Sequence, residues 1–340
     1  MPQKEVTTIV DILDSNGELA NSGWARDDFF VYNRQKVRSN PLRIKAWDYW
    51  EVFNDKFRVI LNIFDIGYAG VAQFSFLDFE TEETTNAMLF RPFPMGAVGN
   101  PPRWRYEEPL VFQKGYSRME FRRNDCGDII LNVRFPGKNI SGEIKLGYDE
   151  TMDSVVNVIP FQNTRHFVYA IKVLCLPARG SINIKGKEYE FSQSNNSWGI
   201  LDWTRAVFPY KNSWKWCAAS GLVDGKPFGF NIDYGFGTES DKSMIVYEGK
   251  GHHLGKVEYR QDRKFLMKPV EIKAADGRVN LLLTPLYAEK TRTSLGFLEM
   301  KGIKSYGYFT GKTVLDDGSI IEIKPEDKLF GWAEEFFQKW

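Results

Sequence analysis

Turn punctuation constrains this chain more than any other feature. Short runs rich in Val, Ile, Phe and Tyr alternate with polar residues nearly throughout. Asn16-Gly17, Asp224-Gly225, Asp276-Gly277 and Asp317-Gly318 fall between such runs. Alternation at a period of two marks half-buried strands. Asn-Gly and Asp-Gly supply the positive φ angles that tight hairpin turns need. Ser117–Val133 reads as a hairpin turning near Asp125–Gly127, Gly180–Phe191 as one turning at Lys185-Gly186, and Ala219–Ile232 as a third. Strands at roughly 8–12-residue spacing, bounded by turn signals, argue for a sandwich or barrel.

The chain has 340 residues. At about 100–200 residues per domain, two domains are expected, although one large all-β domain would also fit. Pro177-Ala178-Arg179-Gly180 offers a seam that divides the chain into residues 1–179 and 180–340. Arg91–Arg103 is rich in proline and reads as a long loop, because strands resume after it. Only the C-terminal segment reads as helix. From Asp327 onward, Leu329, Trp332, Ala333, Phe336, Phe337 and Trp340 recur at three- and four-residue steps, which is one apolar stripe. A C-terminal helix packed on the outside or end of a barrel is therefore expected.

Lys+Arg total 45 and Asp+Glu 44, a net charge of +1. That balance excludes a strongly basic nucleic-acid footprint and a bulk acidic tail. The opening MPQKEVTTIVDILDSNG has no basic start followed by an apolar block, so no secretory leader is expected. The most apolar stretch, Phe167–Ala178, contains Lys172 and is too short to span a bilayer. Cys126, Cys175 and Cys217 are odd in number and widely spaced, unlike a disulfide framework or a zinc site, and a reduced cytoplasm is the simplest compartment. No P-loop or Gly-x-Ser-x-Gly elbow occurs, and Gly235-Phe236-Gly237 lacks the third glycine of a dinucleotide fingerprint. Adjacent His252 and His253 would face opposite sides of a strand, and His166 reads as structural. No cofactor or metal is expected.

Aromatic residues make up 15% of the chain. They are densest in Ser197–Ser220, which holds Trp198, Trp203, Trp214 and Trp216. Trp214 and Trp216, two apart, would share one face of a strand. Asp202 and Arg205 sit between the tryptophan pairs. Indole walls would desolvate the carboxyl and favour its acid form, whereas a nearby arginine would favour the anion. The competing reading is a structural corner in which Asp202 bonds backbone amides or Arg205 and the tryptophans are core. Asn231, Asp233, Tyr234 and Glu239 form a second polar cluster, either a pocket floor or a solvated rim. Trp104–Glu108 and Asp65–Tyr68 read as surface pairs rather than pocket walls.

The stretch SWGILDWTRAVFPYKNSWKWCAASGLVDGKPFGFNI resembles the signature region of the family catalogued as Domain of Unknown Function 2804. The pattern is an Asp-Trp-x-Arg core, Pro-Tyr, a Trp-x-Trp pair and a small-residue run before a Gly-containing hairpin. Asp202, Trp203, Arg205, Pro209, Tyr210, Trp214, Trp216 and Ala218–Gly221 match it. A more distant likeness is to tandem lipocalin-like proteins related to carotenoid hydratase. In that group an Asp near the start of the second barrel is implicated as proton donor to a carbon–carbon double bond. Asp202 is the matching position, with Leu201 and Trp203 where that group has histidines. The likeness implies two tandem lipocalin-like antiparallel barrels, one per half.

Three functions follow as expectations. One is binding of a hydrophobic or unsaturated small molecule in an aromatic-lined barrel pocket. Another is acid–base catalysis of the hydratase, isomerase or cyclase type, with Asp202 as acid, Arg205 as orienting cation and Asp233 or Tyr234 auxiliary. The last is carbohydrate recognition, with sugars stacked on tryptophan faces.

Overall fold

A computed structural model describes residues 4–235, 237 and 243–340. The strands of the first barrel are β1 (Ile44–Phe53), β2 (Phe57–Asp65), β3 (Ala69–Asp78), β4 (Thr84–Pro92), β5 (Leu110–Lys114), β6 (Ser117–Arg123), β7 (Ile129–Phe135), β8 (Ile140–Leu146), β9 (Phe167–Ile184) and β10 (Trp198–Val207). Their order in the sheet is β4-β3-β2-β1-β10-β9-β8-β7-β6-β5. The second barrel is built from β11 (Lys211–Val223), β12 (Lys226–Tyr234), β13 (Ser243–Tyr247), β14 (Lys250–Leu254), β15 (Val257–Tyr259), β16 (Val270–Ala274), β17 (Val279–Leu295), β18 (Leu298–Val314) and β19 (Phe330–Lys339). Here the order is β14-β13-β12-β11-β19-β18-β17-β16-β15. Each sheet curls into a nearly closed barrel. Among the described residues no helix is long and apolar enough to cross a membrane.

The expected hairpins form. Lys185 and Gly186 have φ of 55° and 91°, and Asp224 and Gly225 have 49° and 77°, the double positive-φ turn that matches strand twist. The expected C-terminal helix does not form. Its residues make β19, which pairs with β11 on one edge and β18 on the other. Both of its faces are covered, so Phe330 to Glu335 are all buried. A strand buried on both sides loses period-two alternation, and the apolar residues that remain mimic a helical stripe.

The Pro177–Gly180 stretch lies inside β9 rather than between elements. That strand bulges between Val173 and Leu176, and its later residues pair with β8 and with Lys187–Phe191. The chain passes from one sheet to the other between Val207 and Lys211.

Side chains fill both barrels. Trp50, Leu61, Phe74, Phe121, Tyr169 and Trp203 belong to the first core, and Cys217, Phe230, Ile272, Leu283 and Phe309 to the second. A third cluster, with Phe53, Trp198, Ile200, Trp216, Tyr306, Phe330 and Trp332, forms the seam where the barrels pack together. The loop after β4 closes over the first barrel and buries Trp104 and Tyr106, which are therefore core rather than surface. Asp65 is buried as well, accepting from the backbone N–H groups of Gly67 and Gly96 at 2.9 and 2.7 Å.

Candidate functional site

Alternation along β10 sorts the residues that the sequence grouped. Trp198, Ile200, Asp202 and Thr204 face the seam, whereas Leu201, Trp203 and Arg205 face the first core. Asp202 and Arg205 are three apart, an odd step, so one strand points them to opposite sides. They do not form one site.

Arg205 instead fastens the loop over the first barrel. Its Nη2 lies 2.9 Å from Asp48 Oδ1, and its Nε and Nη2 donate to the Pro101 carbonyl at 3.1 and 2.6 Å. Asn100 and Tyr106 donate to the same Asp48 carboxyl at 2.8 and 3.2 Å. The guanidinium sits 3.9 Å over the Trp203 ring. Burial pushes the Asp48 carboxyl above its ordinary range, with the Arg205 charge opposing. Tyr234 points into the second barrel, where its hydroxyl accepts from the Tyr259 N–H at 2.8 Å.

Around Asp202 the seam holds a concentration of buried charge. Lys172, on β9, reaches Asp202 Oδ1 at 2.6 Å and lies 4.2 Å over the Trp216 ring. Thr204 Oγ1 donates to the same oxygen at 3.0 Å. Beside them, Glu51 on β1 accepts from Lys304 Nζ and from the Tyr306 hydroxyl, each at 2.8 Å, and from the Tyr49 hydroxyl. Lys304 also lies 3.4 Å from Glu334, which accepts from Trp214 Nε1 at 2.9 Å. The Arg58 guanidinium lies 4.0 Å from Glu51 and 3.8 Å from Glu289. Trp216 meets Trp332 edge-on at 5.0 Å, and Lys304 sits 4.3 Å over Trp332. The network thus joins β1, β2, β9 and β10 of one barrel to β11, β17, β18 and β19 of the other.

Burial raises the Glu334 carboxyl above the usual carboxylate range. The nearby Glu51 charge adds to this, and Lys304 and the Trp214 N–H oppose it. Burial likewise raises the Tyr49 and Tyr306 hydroxyls. The side chains of Asp202 and Glu334 keep 12% and 9% of their surface exposed and Glu51 keeps none, whereas Glu289 at the other end of the network keeps 31%.

Trp214 and Trp216 share the seam face, as their spacing requires. Asn231, on the same side of β12, accepts from Trp216 Nε1 at 2.8 Å. Asp233, also on that side, is buried, and its N–H donates to Ser243 Oγ at 3.4 Å. Trp198 is buried in the seam, with its Nε1 donating to Asn196 at 2.6 Å. Glu239 lies outside the described residues. An open cleft of about 570 Å³ lies where the barrels meet, lined in part by Phe161, His166, Pro209, Asn212, Ser213 and Phe337. His252 Nδ1 accepts from the Asp316 N–H at 3.2 Å, and His253 stacks on Trp24 at 4.0 Å.

Sequence reasoning missed Glu51, Lys172, Lys304 and Glu334. Only Lys172 gave a signal, as a lone cation inside an apolar strand.

A filled pair of antiparallel barrels with a polar seam between them defines the class. The chain belongs to the family described as Domain of unknown function (DUF2804), whose profile it matches over residues 3–340. In three dimensions it is similar to kievitone hydratase from Nectria haematococca, at 12% identity and a TM-score of 0.54, over 90% of this chain and 92% of that one. A candidate AttH from Nitrosomonas europaea aligns at 11% identity and a TM-score of 0.45, over 89% and 95% of the two chains. By sequence, no curated protein matches.

Proposed function

We propose that this protein binds a hydrophobic, unsaturated small molecule at the seam between two lipocalin-like barrels and performs acid–base chemistry on it. The reaction is of the hydratase, isomerase or cyclase type. The ligand is placed at the seam because aromatic side chains occupy both barrel interiors.

One observation carries the reading. Glu334 is a carboxyl that burial raises above the usual carboxylate range, and it shares the seam with a second carboxyl, Asp202, that is paired to Lys172. Two carboxyls in different surroundings divide the work of acid and base. In this reading the donor is Glu334 rather than Asp202, because the Lys172 ammonium contacts Asp202 closely at 2.6 Å whereas Lys304 stands farther from Glu334, at 3.4 Å. For a hydration, the Glu334 proton adds to one alkene carbon as the π pair forms the new C–H bond. A water oxygen bonds to the other carbon, and Asp202 takes the proton that the water releases. The protons return to their starting positions through solvent. Trp214 and Trp216 supply flat walls for the substrate, and the low exposure of the seam limits competing water. The shared fold with a hydratase is consistent with this chemistry.

A panel of enones, styrenes and isoprenoid alkenes in H₂¹⁸O buffer, followed by mass spectrometry, tests the proposal. Catalysis is expected to add or remove water, or to shift a double bond, in at least one compound, and Glu334→Gln is expected to retain binding and lose turnover. Compounds that quench seam tryptophan fluorescence without any conversion by the unaltered protein would leave a carrier. A carbohydrate that binds and is lost in Trp214→Ala, with no alkene competing, would establish sugar recognition instead.

A further inference from the structure

We infer that the protein docks onto anionic lipid surfaces along the β17–β18 hairpin of its second barrel. The hairpin β17–β18 outruns its neighbour. β16 stops pairing with β17 at Leu283, whereas the hairpin continues to the Leu295–Leu298 pair. At the tip, Leu295 and Phe297 are 68% and 73% exposed. The tip is anchored, because the Tyr210 hydroxyl donates to the Phe297 carbonyl and leaves the phenyl ring outside. A second loop, residues 260–268, presents Phe265 and Met267 at 51% and 54% exposure. It is tied to the base of the same hairpin, where the Leu266 carbonyl accepts from Ser305 Oγ at 3.4 Å.

Basic side chains surround both apolar points. The second loop carries Arg260, Arg263, Lys264 and Lys268; Arg263 pairs with Glu335 at 3.2 Å and Lys268 with Asp262 at 2.9 Å, and Arg260 and Lys264 have no ion-pair partner among the described residues. Lys264 and Lys268 flank the Phe265 ring at 5.3 and 4.6 Å. On the hairpin, exposed Lys290 and Arg292 have no ion-pair partner among the described residues, and Lys301 stands opposite Arg292. Glu299 is already matched by Lys301 and Lys339 at 3.6 and 2.9 Å.

Ser305 and the tip are seven residues apart on β18, or roughly 20 Å at about 3.3 Å per residue. Two apolar points at that separation are too far apart for one small ligand. They suit an extended surface into which aromatic and aliphatic tips dip while lysines stay at the headgroups. The net basic rim selects an anionic surface, since each Lys or Arg held near the headgroups adds to the attraction.

Co-sedimentation of the full chain with phosphatidylserine-containing vesicles, and with phosphatidylcholine vesicles as control, tests the inference. Binding is expected to the anionic vesicles only and to fall as salt is raised. Leu295→Ser with Phe297→Ser is expected to lower it roughly a hundredfold, because two large apolar side chains are no longer inserted. Lys264→Glu with Lys268→Glu is expected to weaken binding to anionic vesicles. These side chains are all exposed, so the variants should fold, and circular dichroism verifies this. No pelleting above the vesicle-free control, equal pelleting with both vesicles, or no effect of the tip variant would overturn the inference. So would a dimer on size exclusion that the tip variant abolishes, since the tip would then be a self-association surface.

Discussion

Replacing Lys304 by Met is the most direct test of how the seam is held. Its ammonium lies 2.8 Å from Glu51 and 3.4 Å from Glu334, and the side chain is only 6% exposed. Methionine has similar length, so little packing is lost. What goes is the cation shared by two buried carboxyls, leaving Glu51 with Arg58 at 4.0 Å. Removing one partner of a buried pair typically costs about 3–5 kcal/mol. The loss should depend on pH. Glu334 already has a raised pKa, and losing Lys304 raises it further, so as the pH falls the carboxyl takes a proton and becomes neutral more readily. Urea unfolding followed by tryptophan fluorescence and far-UV circular dichroism should show the full penalty near pH 8 and a smaller one near pH 5, at up to about 1.4 kcal/mol per pH unit. Glu334→Gln combined with Lys304→Met should recover part of it. A loss below about 1 kcal/mol, the same at both pH values, would refute the argument, because solvent-screened pairs behave that way.

Other outcomes follow from the same geometry. Glu334→Gln alone keeps an acceptor for the Trp214 N–H. Because the folded pKa of Glu334 is raised, the unaltered protein loses stability as pH rises from about 4.5 through that pKa, and the variant should gain relative stability across the window in denaturant titrations. Lys45 is buried and donates to the Leu42 and Ile66 carbonyls, each at 2.7 Å, and burial pulls its pKa down to about 7. Since the folded form releases its proton first, the protein should become more stable as pH rises from about 7 toward 10, and Lys45→Met should flatten that slope. A methyl group at Gly229 would stand 2.7 Å from Cys175 Sγ and 2.8 Å from the Ala219 carbonyl. Gly229→Ala should therefore lower the melting temperature, and overpacking costs of about 1–3 kcal/mol set the scale.

The turns were legible because their chemistry is local. Asp224-Gly225 and Lys185-Gly186 specify a hairpin without reference to the rest of the chain. β19 was not legible, because its helix-like stripe arises from burial on two faces, and what covers those faces is set by topology. The site divides along the same line. Trp214 and Trp216 share a face because they stand two positions apart on one strand. The same period would have parted Asp202 from Arg205, had it been applied to them. Glu51 and Lys304 meet across 253 residues, and nothing near either residue in the sequence foretells the pairing. Lys172 was the exception, a charge whose place in an apolar strand already required a partner.

The position of β19 has a consequence for synthesis. It lies between β11 and β18 in the sheet, yet it follows every strand it pairs with, and it carries Trp332 and Glu334 to the seam. A ribosome therefore releases the whole first barrel, then most of the second, before the strand that completes the second sheet exists. During that interval Phe53, Trp198 and Ile200 have lost no water to Trp332, and Glu51 has Lys304 only on an unclosed sheet. Late arrival of a central strand makes for slow, non-local closure and exposes apolar surface to other chains. The nascent protein should thus depend on holding chaperones until residues beyond Phe330 emerge.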